Sequence, residues 1–203
     1  MNEKIVEWTL DDLSGELRRI SLVSAPAVEE DFMLFSDNIE SFKTIDEDKR
    51  VLTGVAMRPN VNIPRRDEDG SLYYGFFSEE TVVKAAELYF KNNSNANNTN
   101  LEHKVEVGGV FVFESWIVTD PKLDKSLALG FTSAKKGDWF VSMKIENDVV
   151  WNEFLKTGFI RGFSVEVNPT VTEVSVLERM SAIVEDETLS DDEKINKLLK
   201  LTK

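Results

Sequence analysis

The sequence predicts an α+β fold that is mainly β, with a mostly antiparallel, barrel-like sheet of about six or seven strands. Apolar residues alternate in several short segments, most cleanly at Trp139, Val141, Met143 and Ile145, which is the period of a strand with one buried face. Strands and helices do not alternate regularly, as they would in a doubly wound parallel sheet. After Pro169 the apolar spacing becomes helical. Helices are therefore expected to flank the sheet and to close the chain.

The predicted strands are short and are separated by turn-forming residues. Two lie before Val28, and the others are at 51–57, 73–77, 101–118, 139–145 and 159–167. Residues 36–50 are polar and acidic, which is typical of a connector. Residues 92–100 (NNSNANNTN) consist almost entirely of turn formers and predict a surface loop.

Four helices are predicted: one opens at Ser78, a short one runs from an N-cap at Asp148 to Gly158, and two form a C-terminal hairpin. Ser78 is a candidate N-cap for a helix that ends near Lys91. Its predicted apolar stripe consists of Val82, Val83, Ala86 and Phe90. A helical hairpin follows, whose second helix opens with a capping box from Ser190 to Glu193. The predicted organisation is a β-barrel domain over 1–170 and the hairpin over 171–203, packed on that domain or docked on a partner.

Composition excludes several classes of function. The formal net charge is −13, which disfavours direct binding to nucleic acid or to anionic membranes. Neither a signal-peptide pattern nor a run of 18 apolar residues is present, so a soluble, unexported protein is expected. The absence of cysteine removes disulfides and thiolate metal sites. With a single histidine and neither a GxGxxG nor a GxxxxGK[ST] motif, no metal and no cofactor are predicted.

His103 and Ser164 are the candidate catalytic residues. Imidazole is the side chain best suited to exchange protons near neutral pH, and His103 is the one imidazole in the chain. Ser164 lies on the face of a predicted strand opposite Phe163 and Val165. Each residue alone is more typical of a sheet edge or a solvated strand face. A nucleophilic serine nevertheless needs a base within hydrogen-bond reach, and only His103 could supply an imidazole.

Five sequence blocks resemble the XkdF-like branch of the phage prohead serine proteases, whose fold is related to the herpesvirus assemblin. The most specific block is GDWFVSMKIENDVVWNEFLKTGFIRGFSVEV at 137–167. The others are ISLVSAPAVEEDFMLF at 20–35, VLTGVAMRPNVNIPR at 51–65, LEHK at 101–104 and FESWIV at 113–118. His103 falls on the family's histidine, and Ser164 falls on its serine.

The resemblance implies a capsid-maturation endopeptidase that acts by acyl-enzyme chemistry. Its substrates or assembly partners would be the scaffolding protein and the major capsid protein, and enzymes of this kind often also cut themselves. The implied location is the bacterial host cytoplasm, inside the assembling prohead. Self-association as a homodimer or larger oligomer is left open.

Two features depart from the family pattern. Assemblin-type enzymes use a second histidine, which this chain lacks, so the candidate third member is a carboxylate from Glu166, Glu114 or Glu16, and a site with no third member is the alternative. The block SLVSAPA at 21–27 looks like a segment that follows the serine strand in other prohead proteases. A circularly permuted β domain is therefore a hypothesis.

Two alternatives belong to other functional classes. One is a non-catalytic, protease-like assembly protein that binds scaffold or shell components through its acidic surface and C-terminal helices. The other is an acidic, β-rich binding domain of cellular origin, which would leave the block at 137–167 as a coincidence.

Overall fold

The structure is a computed structural model that describes residues 4–10, 16–24, 42–46, 49–67, 69–92, 99–186 and 189–201. The strands are β1 Ile5–Thr9, β2 Glu16–Val23, β3 Phe42–Asp46, β4 Val51–Met57, β5 Ile63–Arg66, β6 Leu72–Phe76, β7 Thr99–Leu101, β8 Val105–Val107, β9 Val110–Ile117, β10 Trp139–Ile145, β11 Gly162–Asn168 and β12 Thr170–Glu173. The helices are α1 Glu79–Lys91, α2 Lys125–Ala128, a π-helical segment Val150–Leu155, α3 Val176–Glu185 and α4 Asp191–Leu201.

The strands form three four-stranded sheets. Sheet I has the order β12-β1-β6-β5, sheet II has β3-β4-β10-β9, and sheet III has β11-β2-β7-β8. Only the pairs β1–β6 and β2–β7 are parallel within the described ranges. The predicted α+β class, rich in strands, is therefore confirmed.

The prediction of one barrel-like sheet of six or seven strands needs correction. In the part of the chain that the structure describes there are twelve strands, and their hydrogen bonds do not close into a barrel, because each sheet has two end strands. The predicted strand 101–118 is split into parts of β7, β8 and β9. A turn with positive φ at Glu102 and His103 makes the first break, and Gly109, also at positive φ, makes the second.

The C-terminal end of the predicted loop 92–100 also differs from expectation. Residues 93–98 lie outside the described part of the chain, but Thr99 and Asn100 belong to β7 and are each 3% exposed. These two polar residues pair with Val107 and Glu106 of β8. Strand pairing therefore overrides the turn preference of the asparagine-rich composition.

Helix α1 packs against β2 and β10. Ser78 caps it as predicted, since its side chain accepts a hydrogen bond from the Thr81 N–H at 3.4 Å. The buried face consists of Thr81, Val82, Ala85, Leu88 and Tyr89. The apolar side chains of these residues join the main core cluster, which also holds Trp139 and Phe163.

The C-terminal segment forms the predicted pair of helices, and α3 contacts α4. The helical spacing predicted directly after Pro169 is wrong for residues 170–173, which form β12 and pair with β1. The capping box at the start of α4 is confirmed, because the Ser190 N–H donates to Glu193 at 2.9 Å and the Glu193 N–H donates to the Ser190 hydroxyl at 3.4 Å. The division of the chain at residue 170 remains a prediction. No helix among the described residues has the length and apolar character needed to cross a membrane.

The two ends of the β domain are neighbours in sheet I. Strand β1 pairs antiparallel with β12, with Trp8 opposite Val171. Circular permutation requires the old termini to lie close together. This pairing is compatible with the permutation, which remains a hypothesis.

A buried ion pair joins the end of β4 to the residue before β10. Arg58 donates from Nε and Nη2 to the two carboxylate oxygens of Asp138, at 2.9 and 2.8 Å. The side chains are 2% and 0% exposed. Burial raises the pKa of Asp138, while the hydrogen bonds and the charge of Arg58 act in the opposite direction. The bidentate geometry holds the carboxylate in place.

We expect Asp138→Asn to lower the free energy of unfolding by about 3–5 kcal/mol, because Arg58 would keep a buried charge without its counterion. The matched control is Asp148→Asn, which removes the partner of Arg50 from a pair whose Asp side chain is 77% exposed. That variant should lose less than about 1 kcal/mol. Urea unfolding of both variants makes the comparison, and equal losses would contradict this account of the buried pair.

Candidate active site

Ser164 lies on β11 and is held by pairing with β2. The antiparallel register sets Ser164 directly opposite Ser21 and Glu166 opposite Arg19. Side chains of directly opposed residues share one face of a sheet. Phe163, the preceding residue, points to the other face, where it is 1% exposed in the core. The alternation of β11 thus anchors the strand through Phe163 and leaves the Ser164 hydroxyl half-buried.

His103 lies in the turn between β7 and β8 rather than within a strand. Both Glu102 and His103 have left-handed backbone conformations, with φ of 53° and 57°, which are costly for residues other than glycine. The turn is bound to β2, since the Glu102 N–H donates to the Leu22 carbonyl at 3.0 Å and the Glu102 carboxylate accepts from the Ser24 N–H. These bonds fix the backbone of the turn that carries His103.

The imidazole bridges two hydroxyl groups on sheet III. Its Nε2 lies 3.0 Å from the Ser164 Oγ, and its Nδ1 lies 3.0 Å from the Ser21 Oγ. Neutral imidazole has one N–H donor and one acceptor nitrogen. If Ser164 donates its proton to Nε2, Nδ1 carries the hydrogen and donates to Ser21. Ser21 is fully buried, so this acceptor is shielded from water.

The three predicted carboxylates occupy different surroundings. A Glu166 oxygen lies 3.7 Å from Nδ1 of His103, within ion-pair range but beyond a hydrogen bond, and the same oxygen lies 3.7 Å from Nε of Arg19. Glu114 belongs to sheet II, where hydrogen bonds from Lys125 and Ser142 hold its pKa below the usual range. Glu16 pairs through its backbone with Asn168 at the far end of β2, and its side chain lies outside the described part of the chain.

The structure therefore brings His103, Ser164 and Glu166 together, and it adds a residue that the sequence did not single out. Ser21 makes the direct contact with Nδ1. Its position opposite Ser164 depends on the β2–β11 register, which cannot be read from two separated segments. The motif ISLV offered only an alternation of polar and apolar residues as a signal.

Comparison with protein families yields a match over residues 38–173 to the family described as "Putative phage serine protease XkdF". The chain belongs to this family. Comparisons with curated proteins and with solved structures gave no match.

The XkdF match includes His103, Ser164 and Glu166, whereas β1 and β2, and with them Ser21, precede it. The match names no catalytic residue, so the catalytic roles of His103 and Ser164 remain predictions. The contact between Ser21 and His103 is therefore known from the structure of this chain and not from the family match.

The contact with Ser21 predicts the tautomer of the imidazole. In the wild-type protein, at a pH where His103 is neutral, we expect the hydrogen on Nδ1. Ser21→Ala removes the acceptor at 3.0 Å, so the population with the hydrogen on Nε2 should rise. Nitrogen-15 NMR can measure this directly, because the chain has one histidine.

Ser142→Ala is the matched control for that experiment. It also removes a buried hydroxyl, one that lies in sheet II beside Thr53 and Glu114. The control should leave the imidazole signals unchanged. An unchanged tautomer in Ser21→Ala would contradict the role of Ser21 and would assign Nδ1 to Glu166.

Proposed function

We propose that this XkdF-family chain is a serine endopeptidase that matures phage proheads by cutting scaffolding and capsid proteins, and itself. The observation that carries the proposal is the 3.0 Å separation of His103 Nε2 and Ser164 Oγ in a chain with one histidine. A nucleophile within hydrogen-bond reach of a base is the geometric requirement for acyl transfer.

The reaction follows from these contacts. Nε2 of His103 takes the Ser164 proton while Oγ attacks a peptide carbonyl carbon, forming a tetrahedral oxyanion. Collapse breaks the C–N bond, and the imidazolium returns the proton to the leaving amine. A water molecule then attacks the acyl-enzyme, with Nε2 accepting its proton, and Ser164 is released with its hydroxyl restored.

Ser21 and Glu166 act through the histidine in this mechanism. Ser21 accepts the Nδ1 hydrogen and keeps Nε2 free to receive a proton. The Glu166 carboxylate, 3.7 Å from Nδ1, favours the imidazolium that forms in each step. Ser21 thereby orients the imidazole, and Glu166 stabilises its positive charge. In the common triad one buried carboxylate has both roles.

The biological setting belongs to the same proposal. The phage family supports action inside the assembling prohead in the host cytoplasm, with the scaffolding and major capsid proteins as substrates or assembly partners. The assemblin-like relationship of the fold also remains part of the proposal. The net charge of −13 favours basic or amphipathic protein partners over nucleic acid.

We expect Ser164→Ala and His103→Ala each to slow cleavage of the phage scaffolding protein by at least about 1,000-fold, because each removes a member of the reacting pair. Ser142→Ala should cleave at the wild-type rate, since that hydroxyl lies in sheet II. Gel electrophoresis and mass spectrometry of the products give the rates.

Two outcomes would overturn the proposal. Undiminished cleavage by Ser164→Ala would remove the serine mechanism. Stable binding of scaffold with no cleavage by the wild-type protein would favour the alternative, a non-catalytic assembly protein.

A further inference from the structure

A cavity of about 470 Å³ opens beside the reacting pair, and both His103 and Ser164 line it. Its volume is within the range of about 300–1,000 Å³ that is usual for ligand sites. We propose that it binds a bulky, uncharged apolar side chain of the residue on one side of the scissile bond. This inference rests on the proposed function and specifies its substrate class.

The location of the cavity indicates how a substrate would lie. Residues 163–167 of β11 line it consecutively. Successive side chains of a strand point to opposite faces, so such a cavity follows the edge of the strand. Strand β11 is an end strand of sheet III and contacts β4, and an extended substrate segment would run along the cavity that these two strands border. The scissile bond would then lie at Ser164, with a flanking side chain directed into the cavity.

The walls of the cavity are predominantly apolar. They include Trp8, Met57, Ile63, Phe77 and Phe163. Trp8 is fixed in place because its indole lies against Gly75, where an added Cβ would be 2.1 Å from two ring carbons, and its ring centroid is 5.0 Å from that of Phe77. A rigid apolar wall favours the binding of an apolar side chain, because binding removes the apolar surface of that side chain from water.

The charged groups at the cavity disfavour a cationic occupant. Arg58 is neutralised by the bidentate contact with Asp138. Arg65 lies at the rim, with its guanidinium 5.5 Å from the Trp8 ring centroid, and no carboxylate of the described residues pairs with it. Glu166 also lines the cavity, but Arg19 and Asn100 engage its carboxylate. A substrate Lys or Arg would therefore meet an uncompensated positive charge.

Cleavage-site profiling tests the proposal. The wild-type protein would be incubated with a denatured bacterial proteome, whose chains offer Leu, Phe, Lys, Arg, Asp and Glu at internal positions. New termini would be sequenced by mass spectrometry. We expect Leu, Phe, Met and Ile at one flanking position to be preferred over Ala by at least about 10-fold, and Lys and Arg to be depleted there.

A filling variant locates this preference in the cavity. Val61 lines the cavity from a loop and lies outside the main core cluster, so Val61→Trp should narrow the space without disturbing packing. At the flanking position, the preference of this variant should shift from large apolar residues toward Ala and Ser by about 10-fold or more. Val149→Trp is the matched control, because Val149 is 61% exposed and is not a cavity residue. It should keep the wild-type profile.

The outcomes separate this inference from the function on which it rests. Cuts that need Ser164 but show no side-chain preference, or that favour charged residues, would overturn the inference and leave the protease standing. An unaltered profile in Val61→Trp would likewise refute the assignment to this cavity. If Ser164→Ala makes every cut that the wild-type protein makes, the serine protease itself is refuted, and the specificity with it.

Discussion

The site depends on one structural constraint, which is the register between β2 and β11. That register sets Ser21 opposite Ser164. The Leu22 carbonyl of β2 also accepts a hydrogen bond from the Glu102 N–H, in the turn that carries His103. A slip of one residue would turn the two hydroxyl groups to opposite faces of sheet III. The imidazole could then contact only one of them. The core side of β11, where Phe163 is buried, makes such a slip costly and thereby protects the geometry of the site.

The division of labour around the imidazole has a physical rationale. A carboxylate in direct contact with Nδ1 would have to lose water, which is costly for a charged group. Here the neutral hydroxyl of Ser21 occupies the buried position. The partly exposed carboxylate of Glu166 lies 3.7 Å from Nδ1 of His103, with Arg19 beside it. The charge contribution is consequently screened by solvent, and orientation falls mainly to Ser21.

The sequence predicted features that depend on neighbouring residues. It did not predict features that depend on the pairing of strands that are distant in the sequence. Capping at Ser78 and Ser190 follows from short motifs and is correct. The apolar stripe of α1 was partly wrong, since Val83 and Phe90 are each 40% exposed, because helical spacing alone leaves the buried face uncertain by a fraction of a turn. Ser21 was missed for a stronger reason: 143 positions separate it from Ser164 (164 − 21), and only the fold brings these hydroxyls together.

Active-site labelling tests the central claim most directly. A fluorophosphonate probe reacts with a serine only when a neighbouring base makes its oxygen nucleophilic. Peptide mapping of the labelled protein should find the adduct on Ser164 alone, and His103→Ala should abolish it while the fold persists by circular dichroism. Labelling that survives the loss of His103, or that falls on another serine, would contradict the account.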